Sequence, residues 1–440
     1  MGEMTQPNLD PSRAAERRFD DYLDAIAGVL GHADRRAPAR AYCTGLLLPG
    51  ARKSVEPMAA RLAPQRVPAA HQSLHHLVAK AAWRDAAVLD VVRERVLPAI
   101  GRHGPIGYWI IDDTGFPKKG KHSVGVARQY CGQLGKRDNR QVAVTLAVAN
   151  AHASLPVGYR LYLPEAWADD PARRAEAGVP DESAFRTKPA IALEQIRQAL
   201  ADGVPPGVVL ADAGYGIDTD FRTSLTALDL RYVVGVQAST SLWSPGTGPL
   251  PPKPWSGRGR PPKLVRRTAE HRPTSALDLA KGLPSAAWRR VAWREGSRRA
   301  ELASRFAAVR VRPAHRDYWL AEPHAPEWLL VEWPEGEREP TKYRLSTPPA
   351  ATGIEELVAT AKARWRIERD FQELKQEIGL GHYEGRGWRG FHHHASLCLA
   401  AYGFLVAERC RFPPERRFDR DRLPAPAVPT GFRPRGAGAA

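Results

Sequence analysis

The segment that most restricts the fold is Tyr108-Trp-Ile-Ile-Asp-Asp-Thr-Gly115, an apolar run that ends in two carboxylates, a hydroxyl and a glycine. Aromatic and β-branched residues before a turn-forming glycine predict a buried strand that brings acidic side chains to the end of a sheet. Side chains alternate faces along a strand, so Asp112 and Asp113 point in opposite directions and only one can face a given site. A structural role also fits, with one aspartate capping the turn and the other in solvent.

The charge of the chain favours a polyanionic partner. Lys and Arg number 65 against 48 Asp and Glu, which gives a formal net charge of +17. Nucleic acid is the partner that such a balance first indicates, although a generally basic surface is the alternative. A length of 440 residues suggests two or three domains with enough apolar content to form cores.

The remaining composition favours a reducing cytoplasm. Cys43, Cys131, Cys398 and Cys410 are far apart and show no Cys-x-x-Cys pairing, so neither a zinc ribbon nor a disulfide framework is indicated. The first residues are polar, and no uninterrupted apolar run approaches the roughly 20 residues that cross a bilayer. Secretion and membrane insertion are therefore not expected.

Residues 1–104 are predicted to form an all-α N-terminal domain. Apolar residues recur there at steps of three and four, as in Phe19, Tyr22, Leu23, Ile26 and Leu30. The arginines and histidines of these helices could face DNA. They could equally be solvated charges on a packing domain, because no helix-turn-helix spacing is clear.

A basic loop follows the first strand and carries Lys118, Lys119 and Lys121. The segments 123–132, which contains Arg128, and 141–149 read as two further strands, so three consecutive strands are predicted to form an antiparallel meander. The four cations would then lie near the carboxylate end of the first strand, where they suit contacts with phosphates. A merely solvated loop is the alternative.

A second strand ending in an acid is predicted at residues 207–216, where Asp212 precedes two glycines. Asp218 and Asp220 fall in the first turn of the next helix and are better explained as helix caps or dipole partners. Residues 164–189 read as a connecting loop. A helix over 190–200 and a further strand over 231–236 complete this part of the chain.

Residues 237–346 change in character to Pro, Trp, Arg and short β-prone runs, and are predicted to be a β-rich insertion. Within them, Arg258-Gly-Arg260-Pro has the core sequence of an AT-hook, whose arginines can enter a narrow minor groove. A flexible basic loop that touches phosphates is the alternative and the favoured interpretation.

Residues 355–378 are the most helical part of the chain. Ile367, Phe371, Leu374 and Ile378 form the predicted buried stripe. Arg364, Glu368 and Lys375 share one edge of that stripe. The trio could be an ordinary surface ion pair, or a metal-binding carboxylate with phosphate-binding neighbours.

These motifs together resemble a known family. Ile-Asp-Asp-Thr-Gly at 111–115, Leu-Ala-Asp-Ala-Gly-Tyr-Gly at 210–216 and Arg364-x3-Glu368-x6-Lys375 are similar to the signature of DDE transposases of bacterial insertion sequences, especially the insertion sequence 701 family. The resemblance covers most of residues 20–411. Ala361 stands where the related Tyr-Arg-Glu-Lys motif has tyrosine, which puts in doubt any DNA contact assigned to that tyrosine.

The resemblance implies an α/β fold with a ribonuclease-H-like mixed-sheet core over 105–236 and 347–411, interrupted by the insertion at 237–346. Residues 412–440 are a predicted disordered basic tail. Asp113, which directly precedes Thr114, matches the first catalytic acid, and Asp212 and Glu368 match the others. The implied cofactor is two Mg²⁺ or Mn²⁺ ions, which the three carboxylates would hold.

The implied function is a DNA transposase that cleaves the ends of an insertion sequence and transfers them to a target. Arg364 and Lys375 would bind DNA near the scissile phosphate, together with Lys118, Lys119, Lys121, Arg128, Arg258 and Arg260. The implied partners are double-stranded DNA, as terminal inverted repeats and target, and a second copy of the chain in a homodimer. A ribonuclease-H-like nuclease of another role and a catalytically silent DNA-binding regulator remain as alternatives.

Overall fold

The structure of the chain is a computed structural model, and it describes residues 11–131, 135–295 and 301–412. The predicted tail, apart from Phe412, lies outside the described residues. No helix among those described is long and apolar enough to cross a membrane.

Five helices form the first part of the chain, as the periodicity predicts. Each buries an apolar face, and the long helices at either end of the set contribute Tyr22, Leu23 and Ile26 or Val88, Val92 and Val96 to the core. The helices are α1 (Pro11–Gly28), α2 (Arg36–Leu47), α3 (Val55–Leu62), α4 (Val67–His75) and α5 (Asp85–Gly101).

The next four elements are strands: β1 (Tyr108–Pro117), β2 (Ala127–Cys131), β3 (Lys136–Ala149) and β4 (Ser154–Leu161). β3 lies beside β1, antiparallel, with Tyr108 opposite Ala149. β2 and β4 both pair with the other edge of β3. The predicted meander is therefore wrong in its order, because β3 lies between β1 and β2.

The parallel part of the sheet follows. Its elements are α6 (Glu165–Ala168), α7 (Pro171–Ala177), α8 (Lys188–Ala201), β5 (Val208–Ala211), α9 (Ala213–Gly216), α10 (Thr219–Ala227) and β6 (Tyr232–Val236). β5 pairs in parallel with β1 and with β6. The predicted loop at 164–189 contains two short helices, and the buried Trp167 anchors the first of them.

The strands after β6 extend the same sheet. They are β7 (Ser241–Trp243), β8 (Thr274–Ser275), β9 (Arg289–Glu295), β10 (Glu301–Pro313), β11 (Glu327–Trp333) and β12 (Lys342–Ser346), with α11 (Ala276–Lys281) between β8 and β9. β12 pairs antiparallel with β6, and β11 and β10 follow in order. In the described residues this makes one mixed sheet of 12 strands. The domain boundaries given above stay predictions.

The last helices close the core. They are α12 (Ile354–Lys362), α13 (Trp365–Glu373) and α14 (Trp388–Arg411), and a π-helical turn, Leu374–Ile378, follows α13. The predicted continuous helix is thus broken before Arg364, while its predicted stripe of Ile367, Phe371, Leu374 and Ile378 is buried. α14 packs against α5, α2 and β4. It therefore joins the N-terminal helices to the sheet in one hydrophobic core.

Candidate active site

One acidic side chain, Asp112, lies within β1, and a second, Asp212, directly follows the adjacent parallel strand β5. β1 and β5 pair with Ile110 beside Leu210. Continuing that register by two residues brings Asp112 and Asp212 to the same level and the same face of the sheet. Asp212 caps α9, and its Oδ1 accepts a hydrogen bond from the backbone N–H of Gly214 at 2.8 Å.

Arg364 joins the first of these acids to the acid of α13. Its Nη1 donates to Oδ2 of Asp112 at 2.7 Å, and its Nη2 donates to Oε1 of Glu368 at 2.6 Å. Burial lowers the pKa of Arg364, but the charges of Asp112, Glu368 and Asp212 outweigh burial and raise it above its ordinary value. Three carboxylates therefore act on one guanidinium.

Asp112 is a half-buried carboxylate in a cluster of like charges. Burial raises its pKa to about 6, against the lowering effects of Arg364 and of the hydrogen bond from the backbone N–H of Asp113. The charges of Asp212 and Asp113 raise it further. Any additional positive charge nearby would therefore stabilise the ionised form of Asp112.

Asp113 faces a different set of partners. Its Oδ2 forms an ion pair with Nζ of Lys188, and its Oδ1 accepts a hydrogen bond from the hydroxyl of Tyr215 at 2.5 Å. The resemblance places Asp113 toward the catalytic acids, whereas in the structure Asp112 is the aspartate that shares Arg364 with Glu368. The catalytic role predicted for Asp113 stays a prediction, and the contacts favour Asp112 for it.

Lys375, in the π-helical turn after α13, contacts β1 at a point beyond Asp112. Its Nζ donates to the carbonyl oxygen of Gly115 at 2.9 Å and lies 5.1 Å from the centre of the Phe116 ring. The π-helical turn that contains Lys375 ends at Gly379, whose φ of 86° lies in the left-handed region. Arg364 and Lys375 both contact β1, and Glu368 is joined to β1 through Arg364; the predicted sharing of one edge of the buried stripe stays a prediction.

Sequence comparison identifies the family to which this arrangement belongs. The sequence model described as DDE superfamily endonuclease matches residues 25–300, which is more than half of the chain. The chain belongs to the DDE superfamily endonucleases. A probable transposase for insertion sequence element IS701 from Microchaete diplosiphon is 34% identical over 169 residues, which are 38% of this chain and 41% of that relative. The aligned region thus spans less than half of the relative's length.

Besides Arg364 and Lys375, six basic residues of this DDE endonuclease are predicted to bind DNA, and they differ in their exposure to solvent. Lys118 is half-buried and donates from Nζ to the carbonyl oxygen of Tyr383 at 2.8 Å. Burial lowers the pKa of Lys118, whereas Glu384 raises it. The exposed members are Lys121 and Arg128 near the end of β1, and Arg258 and Arg260 in the segment between β7 and β8. Lys119, in the loop after β1, is also exposed to solvent.

The three consecutive histidines of α14 do not converge. His392 contacts the backbone of Leu161 and Trp388, His393 contacts that of Val78 and Trp83, and His394 contacts the Tyr42 hydroxyl and the Gly379 carbonyl. Burial lowers the pKa of His393 and of His394 to about 4 in each case. These side chains hold α14 in the core. Across the described ranges, no three His, Cys, Asp or Glu side chains already form a metal-binding cluster.

Sequence reasoning missed the partners of Asp113. Lys188 begins α8 just before a proline, and Tyr215 lies in α9 between two glycines. Tyr215 could have been found from its place three residues after Asp212, in an Ala-Gly-Tyr-Gly run whose glycines allow a close backbone approach. Lys188 carried no such signal, since 75 residues separate it from Asp113.

Proposed function

We propose that the chain is a DNA transposase that cleaves the ends of an insertion sequence and joins them to a target DNA. The observation that carries this proposal is the bridge from Asp112 through Arg364 to Glu368, beside Asp212 on the adjacent strand. The ribonuclease-H-like topology expected of such an enzyme is supported by the mixed sheet, in which antiparallel β3 lies on one side of β1 and parallel β5 on the other.

The donor set fits hard divalent cations. Carboxylate oxygens are the ligands that Mg²⁺ and Mn²⁺ prefer, and Asp112 and Glu368 already reach the same positive group, the guanidinium of Arg364. The side chain of Glu368 is 57% exposed and can change rotamer as Arg364 withdraws. Asp112, Asp212 and Glu368 would hold the ions, with Asp113 as the alternative first ligand. When bound, two such ions activate water or a 3′-hydroxyl and stabilise the leaving oxygen.

The cations around the carboxylates bind and orient the DNA backbone. Arg364 can exchange one of its carboxylate partners for a phosphate oxygen, because its planar guanidinium accepts bidentate partners. Lys375 supplies a positive charge beside Gly115, further along β1. Lys188 and Tyr215 hold Asp113 on the opposite side of the strand, which fixes the direction in which Asp112 points.

The two aspartates can be distinguished by matched substitutions. Asp112→Asn and Asp113→Asn change one oxygen each, and the assay is Mg²⁺-dependent nicking of DNA that carries the inverted repeats flanking the gene. Asp112→Asn should reduce nicking by roughly 10³-fold, the effect of losing several kcal/mol of charge stabilisation. Asp113→Asn should retain measurable nicking. Undiminished cleavage by Asp112→Asn, with loss in Asp113→Asn, would restore Asp113 as the ligand.

The same assay separates the remaining functions. Strand-transfer products with a supercoiled target distinguish a transposase from a nuclease of another role, and binding without any nicking would identify a silent regulator. We further propose double-stranded DNA as the partner, a homodimer as the working assembly, and the cytoplasm as its place of action.

A further inference from the structure

A cavity of about 370 Å³ lies beyond the end of β1, between the basic loop, the short helices α6 and α7, and the segment before α14. We propose that it binds a phosphate of the DNA backbone several nucleotides from the scissile bond, an inference that rests on the proposed function. The side chains that carry the argument are Lys121, His122, Trp167, Arg173, Arg386 and Glu176.

The orientation of Arg173 is fixed by contacts that do not neutralise its positive charge. Its guanidinium carbon lies 3.8 Å from the centre of the Trp167 ring, and its Nη2 donates to the carbonyl oxygen of Lys121 at 3.1 Å. Trp167 is buried, and its Nε1 donates to the carbonyl oxygen of Val126 at 2.8 Å. A stacked, oriented guanidinium loses little conformational entropy when it binds phosphate and presents several donors in one plane.

The cavity carries an excess of positive charge. Lys121, Arg173 and Arg386 are permanent cations, and Glu176 is the one carboxylate among the lining residues. Among the described residues, none of these three cations forms an ion pair with a carboxylate. Cations that converge without acidic partners favour a polyanion, and phosphate oxygens accept the bidentate hydrogen bonds that arginine offers.

The structure joins this cavity to the active site through β1. The backbone N–H of Val124 donates to the carbonyl oxygen of Arg386 at 2.9 Å, and Gln141 Nε2 donates to the carbonyl oxygen of Val124 at 2.7 Å. Gln141 pairs with Phe116, four residues beyond Asp112. At ~3.3 Å per strand residue, Phe116 lies about 13 Å from Asp112. This span corresponds to about four nucleotides at an axial rise of ~3.4 Å each, and the cavity lies beyond it.

Lys375 marks the path between the two sites. Its contact with Gly115 lies on β1 between Asp112 and Phe116. A DNA strand whose scissile phosphate lies at Asp112 would therefore meet Lys375 first and the Arg173 cavity next. The cavity phosphate is expected roughly four to six nucleotides from the cut.

The test measures DNA binding without metal, so that it does not depend on catalysis. Fluorescence anisotropy in EDTA compares the wild type with Arg173→Ala, Arg386→Ala and, as a matched control, Arg338→Ala at an exposed position between β11 and β12. The duplexes carry a single neutral methylphosphonate at successive positions along one strand of the element end. Arg173→Lys keeps the charge but not the planar donor set. Thermal melting checks that every variant is folded.

If the proposal holds, removal of the Arg173 side chain and removal of the charge of one phosphate should lower the DNA affinity by the same, non-additive amount. Arg173→Ala should weaken binding about 5- to 20-fold and reduce the slope of log K against log salt by about one. A methylphosphonate four to six nucleotides from the cut should weaken the wild type similarly and leave Arg173→Ala unchanged. Arg173→Lys should lie between the wild type and Arg173→Ala, and Arg338→Ala should match the wild type.

Two results would overturn the proposal. One is a folded Arg173→Ala variant that binds every duplex as Arg338→Ala does. The other is a site for free anions, seen if inorganic phosphate raises the melting temperature of the wild type but not of Arg173→Ala, while DNA affinity is equal in both. Failure of the proposed function is a separate outcome, seen as the absence of Mg²⁺-dependent nicking and strand transfer by the wild type, and it would leave these binding results in EDTA unchanged.

Discussion

The adjacent residues Asp112 and Asp113 have opposite electrostatic surroundings because a strand turns successive side chains to opposite faces. Asp112 meets Arg364 and the charge of Asp212, and Asp113 meets Lys188 and Tyr215. Each carboxylate thus has a cationic partner of its own. Of these two cations, only Arg364 also binds Glu368. Arg364 therefore links β1 to α13 through side-chain hydrogen bonds.

A buried carboxylate near this helix gives a residue-scale prediction of pH dependence. Asp370 Oδ1 accepts hydrogen bonds from Ser154 and Tyr402 at 2.7 and 2.8 Å, while its Oδ2 makes no hydrogen bond among the described residues. Burial outweighs those bonds and raises the pKa of Asp370 to about 6. Between pH ~4 and ~6 the folded state therefore binds more protons than the unfolded state, and its stability falls as pH rises.

Asp370→Asn removes this titration while it keeps the shape of the side chain. Its melting temperature should match the wild type near pH 4.5 and exceed it at pH 7.5, by an amount equivalent to at most about 3 kcal/mol for a shift of about two pKa units. Asp34→Asn, at a side chain that is 89% exposed, is the control and should show no such divergence. A difference that is the same at both pH values would show that the Asp370 charge does not limit stability.

At the scale of elements, the positions of strands and helices could be predicted where hydrophobic periodicity was strong, and their neighbours could not. The buried stripe of α13 follows from a 3.6-residue repeat within a few turns of chain. The order of β1, β3 and β2 depends on hydrogen bonds between segments that the local pattern does not specify. For the same reason, the local sequence could not decide whether Asp112 or Asp113 faces the other acids. The partner of Asp112, Arg364, is 252 residues away.

The turn that carries Asp212 depends on two glycines in different elements. A Cβ on Gly235 of β6 would lie 2.7 Å from the backbone nitrogen of Ala213 and 2.9 Å from the carbonyl carbon of Asp212. A Cβ on Gly216 would lie 1.9 Å from the carbonyl oxygen of Gly235. The absence of both side chains lets α9 rest directly on β6 and so sets the position of Asp212.

Gly235→Ala should therefore destabilise the protein by about 1–3 kcal/mol, because backbone atoms must move to admit the methyl group. It should also reduce DNA nicking through displacement of Asp212. Gly101→Ala makes the same chemical change at the end of α5, where a Cβ would have nothing within 4 Å, and should be neutral or slightly stabilising. Equal melting temperatures and equal nicking in the two variants would show that the close approach of α9 to β6 is not required.

At the scale of the whole molecule, α14 connects parts that are distant in sequence. Tyr22 of α1 donates to the carbonyl oxygen of Ala400 at 2.9 Å, and Arg18 donates from Nε to Glu408 at 2.8 Å. Apolar residues of α1, α2 and α5 share one core with β1 and β3. The N-terminal helices are therefore packed in the described structure on the same body that carries the carboxylates.

The net charge of +17 makes salt dependence the property that reports on DNA contacts across the molecule. Each phosphate neutralised by Lys or Arg contributes about −0.9 to the slope of log K against log salt for duplex DNA, because condensed counterions are released. Binding should therefore weaken steeply with salt. An affinity independent of salt would contradict nucleic acid as the partner.

The salt dependence of binding can also distinguish two ways in which the exposed arginines between β7 and β8 could contact DNA. If Arg258 and Arg260 touch phosphates, replacing both by alanine should reduce the slope by about two and weaken A/T-rich and G/C-rich duplexes equally. If they enter a narrow minor groove, the loss should be larger on A/T-rich DNA. We expect the equal loss, because these side chains lie in an exposed segment outside the regular elements. A loss confined to A/T-rich duplexes would instead establish minor-groove recognition.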